Sequence, residues 1–355
     1  MSIVKSDFGV NKNGDKVTKY TLKNKNGIQV SFIDIGAVIT NIIVPDRDGV
    51  FEDIALGYDK PAPYEVNLPS FGAPIGRYSN RISNAKFMLN GKEYKLDAND
   101  NTNCLHGGKL RYNCCMYDVE YEEGEFEDKI SFTRFSPDGE QGFPGNLTLT
   151  ITYILDDDDE LIINYYAVCD EDTIVNLTNH SYFNLGKGGH KCPDVLNQEV
   201  QIEADYYTPV NDVLVPSGEI KELAGTALDF REFKKLKDGI GKADAQGNIV
   251  TEYDYNFVLR KSNDDKEVRK VAQFRDTTTG RLLEVFTDQP GMQLYTAGTF
   301  DEDNCKDGMH YKNFCGACFE TQNFPNAINT EGFPNAVLKA GDEYKSMTVF
   351  RFKAF

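Results

Sequence analysis

The chain has 355 residues, of which 56 are acidic and 38 are basic, so its formal net charge is -18. This acidic balance argues against nucleic acids and anionic membranes as partners, because both attract basic surfaces. A hydrophobic fraction of 40% is enough to bury a core, and no apolar run approaches the ~18 residues of a membrane span. The opening segment MSIVKSDFGV contains no apolar stretch of the secretory type, so we expect a cytoplasmic protein.

Alternation of apolar and polar residues with a period of two dominates the chain and predicts β-hairpins. In chain order, the predicted hairpins are residues 87–96 around the turn Asn90-Gly91, residues 117–121 with 130–132, residues 147–155 with 161–169, and residues 272–276 with 282–287. Asn-Gly is the strongest two-residue hairpin signal. The acidic run at 156–159 lacks the glycine and the distal glutamate of an EF-hand calcium loop, so we predict a solvated turn there.

Helical patterns are scarce, because only residues 231–238 could form two helical turns and no longer segment has a clean period of 3.6. We therefore predict an all-β protein of antiparallel sheets packed face to face, with few short helices. No proline- or serine-rich linker and no fixed-period repeat divides the chain. We predict a single domain that spans residues 1–355.

The eight cysteines predict free, partly buried thiols rather than disulfides. Cys315 and Cys318 form a lone C-x-x-C, and a zinc site would need a second pair at ligand spacing. The adjacent Cys114 and Cys115 are too crowded to be that pair, and the chain has only four histidines. We therefore expect no metal site.

Four segments combine polar residues in a way that a core strand does not require. They are GRYSNRI (76–82), NCLHGG (103–108), NLTNHSYFNL (176–185) and CFETQNFP (318–325). If residues 174–182 form one strand, His180 lies on its polar face, and Glu320 shares a strand face with Cys318 and Gln322 in the same way. A histidine and a glutamate from separate strands could form an acid–base pair, although each one alone is more often a structural residue.

These segments and several others resemble those of the aldose 1-epimerase, or galactose mutarotase, family. The matching segments occur in the family's order along nearly the whole chain: GRYSNRI (76–82), NGKEYKL (90–96), NCLHGG (103–108), SPDGEQGFPGNL (136–147), NLTNHSYFNL (176–185), TPVNDVLVPSGEI (208–220), TALDF (226–230), YDYNFVL (253–259), PGMQLYTAG (290–298) and FETQNFPNAIN (319–329). The resemblance implies one large antiparallel β-sandwich, the galactose mutarotase-like supersandwich. It also implies an isomerase that interconverts the α- and β-anomers of free aldoses, galactose and glucose especially.

The resemblance also implies roles for individual residues. Glu320 resembles the family's catalytic base, His180 its general acid, and His106 a second active-site imidazole near the ring oxygen or the C1 end of the sugar. The residues that resemble its hydroxyl-binding side chains are Asn80, Arg81, Asp254 and Gln293. His190 and His310 match no motif, and we predict that both lie at the surface.

Mutarotation needs a base that takes the proton of the C1 hydroxyl and an acid that protonates the ring oxygen. A carboxylate and an imidazolium suit these tasks near neutral pH, and negative surroundings would raise the pKa of His180 toward that range. The reaction has no redox step, and the chain has no Walker loop and no G-x-G-x-x-G motif. We therefore expect no cofactor, and a small aldose as the partner of a monomer or homodimer.

Two departures from the family pattern leave the pocket rim and the sugar preference open. Tyr255 replaces the histidine that usually follows the aspartate, and residues 109–117 (KLRYNCCMY) replace a segment with Gly-Phe-Asp and a later tryptophan. The chain has no tryptophan, so an aromatic ring under the sugar would have to be a phenylalanine or tyrosine, such as Phe183 or Phe324.

Three other functions are compatible with parts of this pattern. A hexose-6-phosphate 1-epimerase would share the fold and mechanism but would need an additional cationic grip on the phosphate, and no arginine cluster stands out beside the motifs. A glycoside hydrolase typically uses two carboxylates. A non-catalytic sugar-binding protein would keep Arg81 and Asp254 but would not need Glu320 together with His180.

Overall fold

The computed structural model describes residues 2–124, 127–262, 264 and 266–355, and strands make up most of its regular structure. The strands, in chain order, are β1 (Ser2–Val10), β2 (Lys16–Lys23), β3 (Gln29–Ile33), β4 (Val38–Pro45), β5 (Phe51–Asp53), β6 (Pro74–Ile75), β7 (Arg81–Ile82), β8 (Lys86–Leu89), β9 (Lys92–Lys95), β10 (Cys104–Leu105), β11 (Asp118–Glu123), β12 (Glu127–Ser136), β13 (Leu147–Asp156), β14 (Glu160–Cys169), β15 (Thr173–Ile174), β16 (Thr178–Asn179), β17 (Glu199–Ile202), β18 (Ala204–Thr208), β19 (Lys221–Glu222), β20 (Lys234–Lys235), β21 (Asp254–Leu259), β22 (Arg269–Arg275), β23 (Arg281–Thr287), β24 (Gly291–Tyr295), β25 (Asp301–Glu302), β26 (Tyr311–Lys312), β27 (Cys318–Gln322), β28 (Val337–Leu338) and β29 (Glu343–Ala354). The helical segments are the single turn α1 (Pro61–Tyr64) and 3-10 turns at Ser83–Ala85, Tyr112–Cys114, Glu140–Gly142, Gly189–Lys191, Leu236–Asp238, Lys306–Gly308 and Ala327–Asn329. Within the described residues, no helix is long and apolar enough to cross a membrane.

Three antiparallel sheets carry most of the fold. The largest has nine strands in the order β11-β12-β13-β14-β29-β23-β22-β17-β20, and two others have five strands each, β1-β2-β3-β4-β5 and β19-β18-β21-β24-β27. Apolar side chains of all three sheets meet in one core. The ring of Phe32 in β3 lies 4.5 Å from that of Tyr153 in β13, and Phe274 in β22 lies 5.2 Å from Phe319 in β27. The nine-stranded sheet therefore packs against both smaller sheets, which confirms the predicted face-to-face arrangement.

The predicted hairpins are confirmed as β8–β9, β11–β12, β13–β14 and β22–β23. In β13 every second side chain from Leu147 to Leu155 is buried, and burying one leucine or isoleucine side chain contributes roughly 1.5–3 kcal/mol. Asn90 and Gly91 have φ angles of 52° and 79°, as the turn of a two-residue hairpin requires. The acidic run at 156–159 lies at the turn between β13 and β14.

Two local structures that the sequence allows do not form. Residues 231–238 do not form two helical turns, because Lys234 and Lys235 pair as β20 with β17 and a 3-10 turn follows. Bonds to the sheet edge override a weak helical preference there. Residues 174–182 do not form one strand either, since β15 and β16 lie in separate two-stranded ladders with β28 and β6. The position of His180 therefore depends on long-range pairing and not on simple alternation.

The prediction that His190 lies at the surface is wrong. Its side chain is buried, with Nδ1 at 2.9 Å from the Tyr311 hydroxyl and Nε2 at 3.4 Å from Asp307. The preceding Gly189 approaches the Asp53 carbonyl so closely that a β-carbon would lie 2.1 Å from its oxygen. This tight packing holds the neighbouring histidine below the surface. The side chain of His310 is 40% exposed and faces Asp301. The eight cysteines are free thiols.

Candidate active site

A cavity of about 370 Å³ lies beside the polar face of the sheet that contains β21, β24 and β27. It brings together most of the residues that the sequence singled out. Those that line it are Asn80, Arg81, His106, His180, Asp254 and Glu320. They come from short ladders and loops far apart in the sequence, so only the tertiary structure assembles them.

Asp254 and Glu320 enter the cavity from one face of three neighbouring strands. Asn256, Gln293 and Glu320 are direct cross-strand partners in β21, β24 and β27, and such partners share a face of the sheet. Residues of the opposite face, among them Met292 and Phe319, are buried in the main core. The alternation of these strands thus directs apolar side chains to the core and polar side chains to the opposite face, where the cavity lies.

His180 and Glu320 lie side by side in the cavity wall without a direct hydrogen bond between them. His180 Nε2 lies 3.6 Å from Glu320 Oε1, which is longer than a hydrogen bond. Oε2 of Glu320 is buried and has no hydrogen-bond partner among the described residues. Leaving a buried carboxylate oxygen without a donor is unfavourable. A bound hydroxyl group would relieve this cost, so the pair is suited to a polar ligand.

Three contacts hold the His180 ring in place. Its backbone N–H donates to the Ala73 carbonyl at 2.8 Å, next to the ladder of β16 with β6. The ring stacks on Tyr182 with centroids 5.0 Å apart. Its Nδ1 lies 3.5 Å from the sulfur of Cys318. Nε2 is therefore the nitrogen that the ring presents to Glu320.

His106 is held by the backbone of the GRYSNRI segment. Its Nδ1 accepts a hydrogen bond from the Asn80 backbone N–H at 3.2 Å, and its own backbone N–H donates to the Asn80 carbonyl at 3.1 Å. Because Nδ1 is an acceptor, a neutral ring carries its proton on Nε2. His106 therefore offers an N–H donor to a ligand in the cavity.

Arg81 and Asp254 form an oriented pair on the cavity wall. Arg81 Nε donates to Asp100 at 2.7 Å, and its Nη1 lies 3.9 Å from Asp254 Oδ2. The Gln293 amide donates to Asp254 Oδ1 at 2.6 Å. Gln293 does not line the cavity and lies against Asp254. The guanidinium and the carboxylate together offer donors and acceptors at a spacing that suits neighbouring hydroxyl groups.

Burial shifts the pKa values of all three candidate catalytic groups. It raises the pKa of Glu320 well above its usual range, and Asp254 adds to the rise while Arg81 opposes it. Burial lowers the pKa of His180 to about 4, with a further contribution from the positive charge of Arg111. Burial also lowers the pKa of His106, and both His180 and Arg111 contribute.

The expected rise of the His180 pKa is therefore wrong. The net negative charge of the chain does not decide the local field, because water is excluded from the ring and the ionic group that acts on it is a cation, Arg111. A pKa of about 4 favours the neutral form of His180 at neutral pH. The proton of the His180–Glu320 pair is favoured on the carboxyl group.

Sequence reasoning missed several cavity residues. The rings that line the cavity are Tyr182, Tyr295 and Phe300, whereas Phe183 and Phe324 do not line it. Tyr182 was detectable because it lies two residues after His180 within the same motif. Tyr295 pairs directly with Cys318 in the sheet register, which no local pattern reveals.

The two departures from the family pattern have different consequences. Tyr255 does not line the cavity, and its ring packs 5.9 Å from that of Tyr207 on the other face of the sheet. Arg111, in the divergent segment 109–117, does line the cavity. The first departure therefore alters the packing behind the site, and the second alters the site itself.

The donor set of the site also includes the ligand types of a transition metal. His106, His180 and Glu320 each offer one nitrogen or oxygen atom, and these atoms lie within 4.8 Å of one another. Two imidazoles and a carboxylate occur together in catalytic zinc sites. The same atoms can instead bind the oxygens of a sugar, and chelation distinguishes the two uses.

Comparisons with known proteins identify the family. The aldose 1-epimerase family model matches residues 18–351. The galactose mutarotase of Sus scrofa is 40% identical over 354 residues, which cover 99% of both chains, and the aldose 1-epimerase of Escherichia coli (strain K12) is 33% identical over 94% of both. The solved galactose 1-epimerase of Lactobacillus acidophilus NCFM superposes with a TM-score of 0.85, at 26% identity and over 99% of both chains. The agreement extends to the sequence, to the fold and to nearly the whole length. The chain therefore belongs to the aldose 1-epimerase family, whose members are isomerases that interconvert hexose anomers.

Proposed function

We propose that this chain interconverts the α- and β-anomers of free hexoses, galactose and glucose among them, with Glu320 as the base and His180 as the acid. The observation that supports this most directly is the 3.6 Å gap between His180 Nε2 and Glu320 Oε1. In a cyclic sugar the C1 hydroxyl and the ring oxygen are bonded to the same carbon. An acid and a base that act on these two oxygens must therefore lie within a few ångström of each other.

Ring opening follows from this placement. Glu320 takes the proton of the C1 hydroxyl while protonated His180 gives its Nε2 proton to the ring oxygen, and the bond between C1 and the ring oxygen breaks. The product is the open-chain aldehyde. Rotation about the C1–C2 bond exposes the other face of the aldehyde, and closure with reversed proton transfers gives the other anomer. Each positioned proton transfer contributes roughly 10²–10⁴ in rate.

The pKa shifts fit this cycle when the two groups are treated as a pair with one proton. In the free site the proton is favoured on Glu320, which is the arrangement that ring closure requires. Ring opening requires the proton on His180. A C1 hydroxyl in contact with both groups can accept a proton from the Glu320 carboxyl group and donate its own proton to the His180 imidazole. This transfer places the proton on His180, as ring opening requires.

The remaining predicted residues would orient the sugar. Neutral His106 would donate from Nε2 to a sugar oxygen, and Arg81 and Asp254 would bind neighbouring hydroxyl groups. Asn80 positions His106 through two backbone hydrogen bonds. Gln293 would act through Asp254, because its amide already donates to that carboxylate.

Anomer-exchange NMR on galactose, glucose and glucose 6-phosphate tests the proposal. An epimerase exchanges the anomers of at least one sugar far above the spontaneous rate, whereas a sugar-binding protein broadens or shifts signals without exchange. A glycoside hydrolase, which could use Glu320 with Asp254, would release sugar from an aryl glycoside instead. We further propose that the chain is one domain over residues 1–355, that it is cytoplasmic and works as a monomer or homodimer, and that it needs no cofactor.

A further inference from the structure

Arg111 places a cation in the cavity wall at a position where the chain departs from the family pattern. It directly precedes the 3-10 turn Tyr112–Cys114. One of its terminal nitrogens, Nη1, donates to the Leu68 carbonyl at 2.9 Å. This single bond uses one of the five N–H groups of a guanidinium, so several donors remain for a ligand.

The charge of Arg111 is not balanced by the protein. Within the described ranges it forms no ion pair. Burial lowers its pKa, and the side chains of Cys114 and Tyr182 partly oppose this effect. Arg81, the other cavity arginine, contacts Asp100 and Asp254. An unbalanced, half-buried guanidinium is unusual in a chain with 56 acidic residues against 38 basic ones. A bound anion would offset the cost of burying it more effectively than a neutral hydroxyl would.

The rim acids of the cavity do not supply that balance. Asp301 contacts His310, and Glu302 accepts a hydrogen bond from the Tyr58 hydroxyl at 2.7 Å. Neither carboxylate contributes to the pKa of Arg111. Within the described residues neither acid forms an ion pair with Arg111, so its charge remains available to a bound anion.

The position of Arg111 indicates which part of a sugar it would meet. Arg111 lines the cavity together with His106 and His180, whose rings lie 5.5 Å apart, and its charge lowers the pKa of both rings, so we assign it to the imidazole end of the cavity. In the proposed reaction His180 faces the ring oxygen. The ring oxygen is bonded to C5, which carries C6, so a substituent on C6 is close to that end.

We infer that Arg111 binds an anionic group on C6 of the aldose, so that the substrates include hexoses with a carboxylate or a phosphate at this position. This inference rests on the proposed function and specifies its substrate class. The carboxylate of a hexuronate and the phosphate of a hexose 6-phosphate share the chemistry that a guanidinium recognises.

The experiment compares anomer exchange of galactose, galacturonate and galactose 6-phosphate by the wild type, R111Q and R111K. Lys109→Gln is the matched control, because it removes one positive charge from the same segment but Lys109 is exposed and does not line the cavity. We expect R111Q to lower kcat/KM for the better anionic substrate at least about tenfold more than for galactose, as the loss of a charged hydrogen bond predicts. R111K should retain part of the preference, and K109Q should leave the ratio of the two values unchanged.

Equal losses on galactose and on both anionic sugars in R111Q would overturn the inference, as would a wild type that exchanges galactose but neither anionic sugar. The faster of the two anionic substrates identifies the group as carboxylate or phosphate. If the wild type exchanges none of the three sugars, the proposed function itself fails. Thermal unfolding of each variant shows whether its fold is retained, and R111K tests the charge even if R111Q is unstable.

Discussion

The sulfur of Cys318 lies 3.5 Å from Nδ1 of His180, although the two residues are 138 positions apart in the sequence. On the other side of the ring, Nε2 faces Glu320 at 3.6 Å. The fully buried thiol is thus one of the contacts that keep the imidazole oriented toward the carboxylate. A thiol is a weak hydrogen-bond partner, so it orients the ring without adding a charge that would raise the pKa of the ring.

This contact predicts a positioning role for Cys318. We expect C318A to lower kcat roughly tenfold, the lower end of the effect of removing a partner that orients a functional histidine, and to change KM for galactose much less. C318S keeps a hydrogen-bonding group and should recover part of the rate. Cys315→Ala is the control, since Cys315 is also buried but does not contact His180. Wild-type kcat and an unchanged pH profile in C318A would show that the contact has no role.

Replacement of Glu320 by glutamine should nearly abolish anomer exchange. The amide has the same shape but cannot accept the C1 hydroxyl proton, so kcat should fall by ~10² or more. Exchange is measured by NMR on galactose, with E331Q as a control because Glu331 is exposed. A variant that kept more than about a tenth of the wild-type kcat would exclude Glu320 as the base, given the size of general-base effects.

The same substitution should stabilise the fold at neutral and alkaline pH. The pKa of Glu320 is raised in the folded state, so the folded state binds this proton more tightly than the unfolded chain does. The stabilisation that protonated Glu320 gives the folded state is therefore present at low pH and is lost as pH rises through the folded-state pKa. E320Q should remove this loss, and urea unfolding at pH 5 and pH 8 measures the difference. An E320Q protein that loses as much stability with rising pH as the wild type would contradict the argument.

His180 should destabilise the fold in mildly acidic solution. Its pKa is about 4 in the folded protein and 6.5 in a model environment, so the unfolded chain binds more protons between these values. Stability should therefore decrease as pH falls from 6.5 toward 4, by up to about 3 kcal/mol at 1.36 kcal/mol per pKa unit. Urea unfolding of H180N should show a smaller decrease over this range than the wild type or the partly exposed control H310N. Parallel profiles for all three would indicate that another group causes the acid sensitivity.

Activity should survive exhaustive chelation. His106, His180 and Glu320 present donor atoms within 4.8 Å of one another, but the proposed proton transfers use these atoms for the sugar. Anomer exchange is measured before and after dialysis against EDTA, with metal content checked by elemental analysis. Loss of activity that one specific metal restores would assign the three residues to a metal site instead.

Local sequence patterns were sufficient to predict the hairpins. In the β13–β14 hairpin, alternation is a short-range property, and the apolar residues from Leu147 to Leu155 can all be buried only if they share one face. The turn at Asn90-Gly91 is similarly local, because its conformation depends on two adjacent residues. The resemblance to the family then identified Glu320 and His180 as candidates, since motif residues can be matched without knowing their contacts.

Long-range pairing decided what local patterns could not. A single strand over residues 174–182 does not form, because β15 and β16 pair with different distant partners, and His180 meets Cys318 only through that arrangement. The pKa of His180 falls although the chain is acidic, because burial and the nearby charge of Arg111 act over a few ångström while net charge is a sum over the whole surface. The sequence by itself thus determined the four hairpins and the identity of the acid–base candidates. Only the tertiary structure decided their protonation and the presence of Arg111 in the cavity, because both depend on which distant segments exclude water from the site.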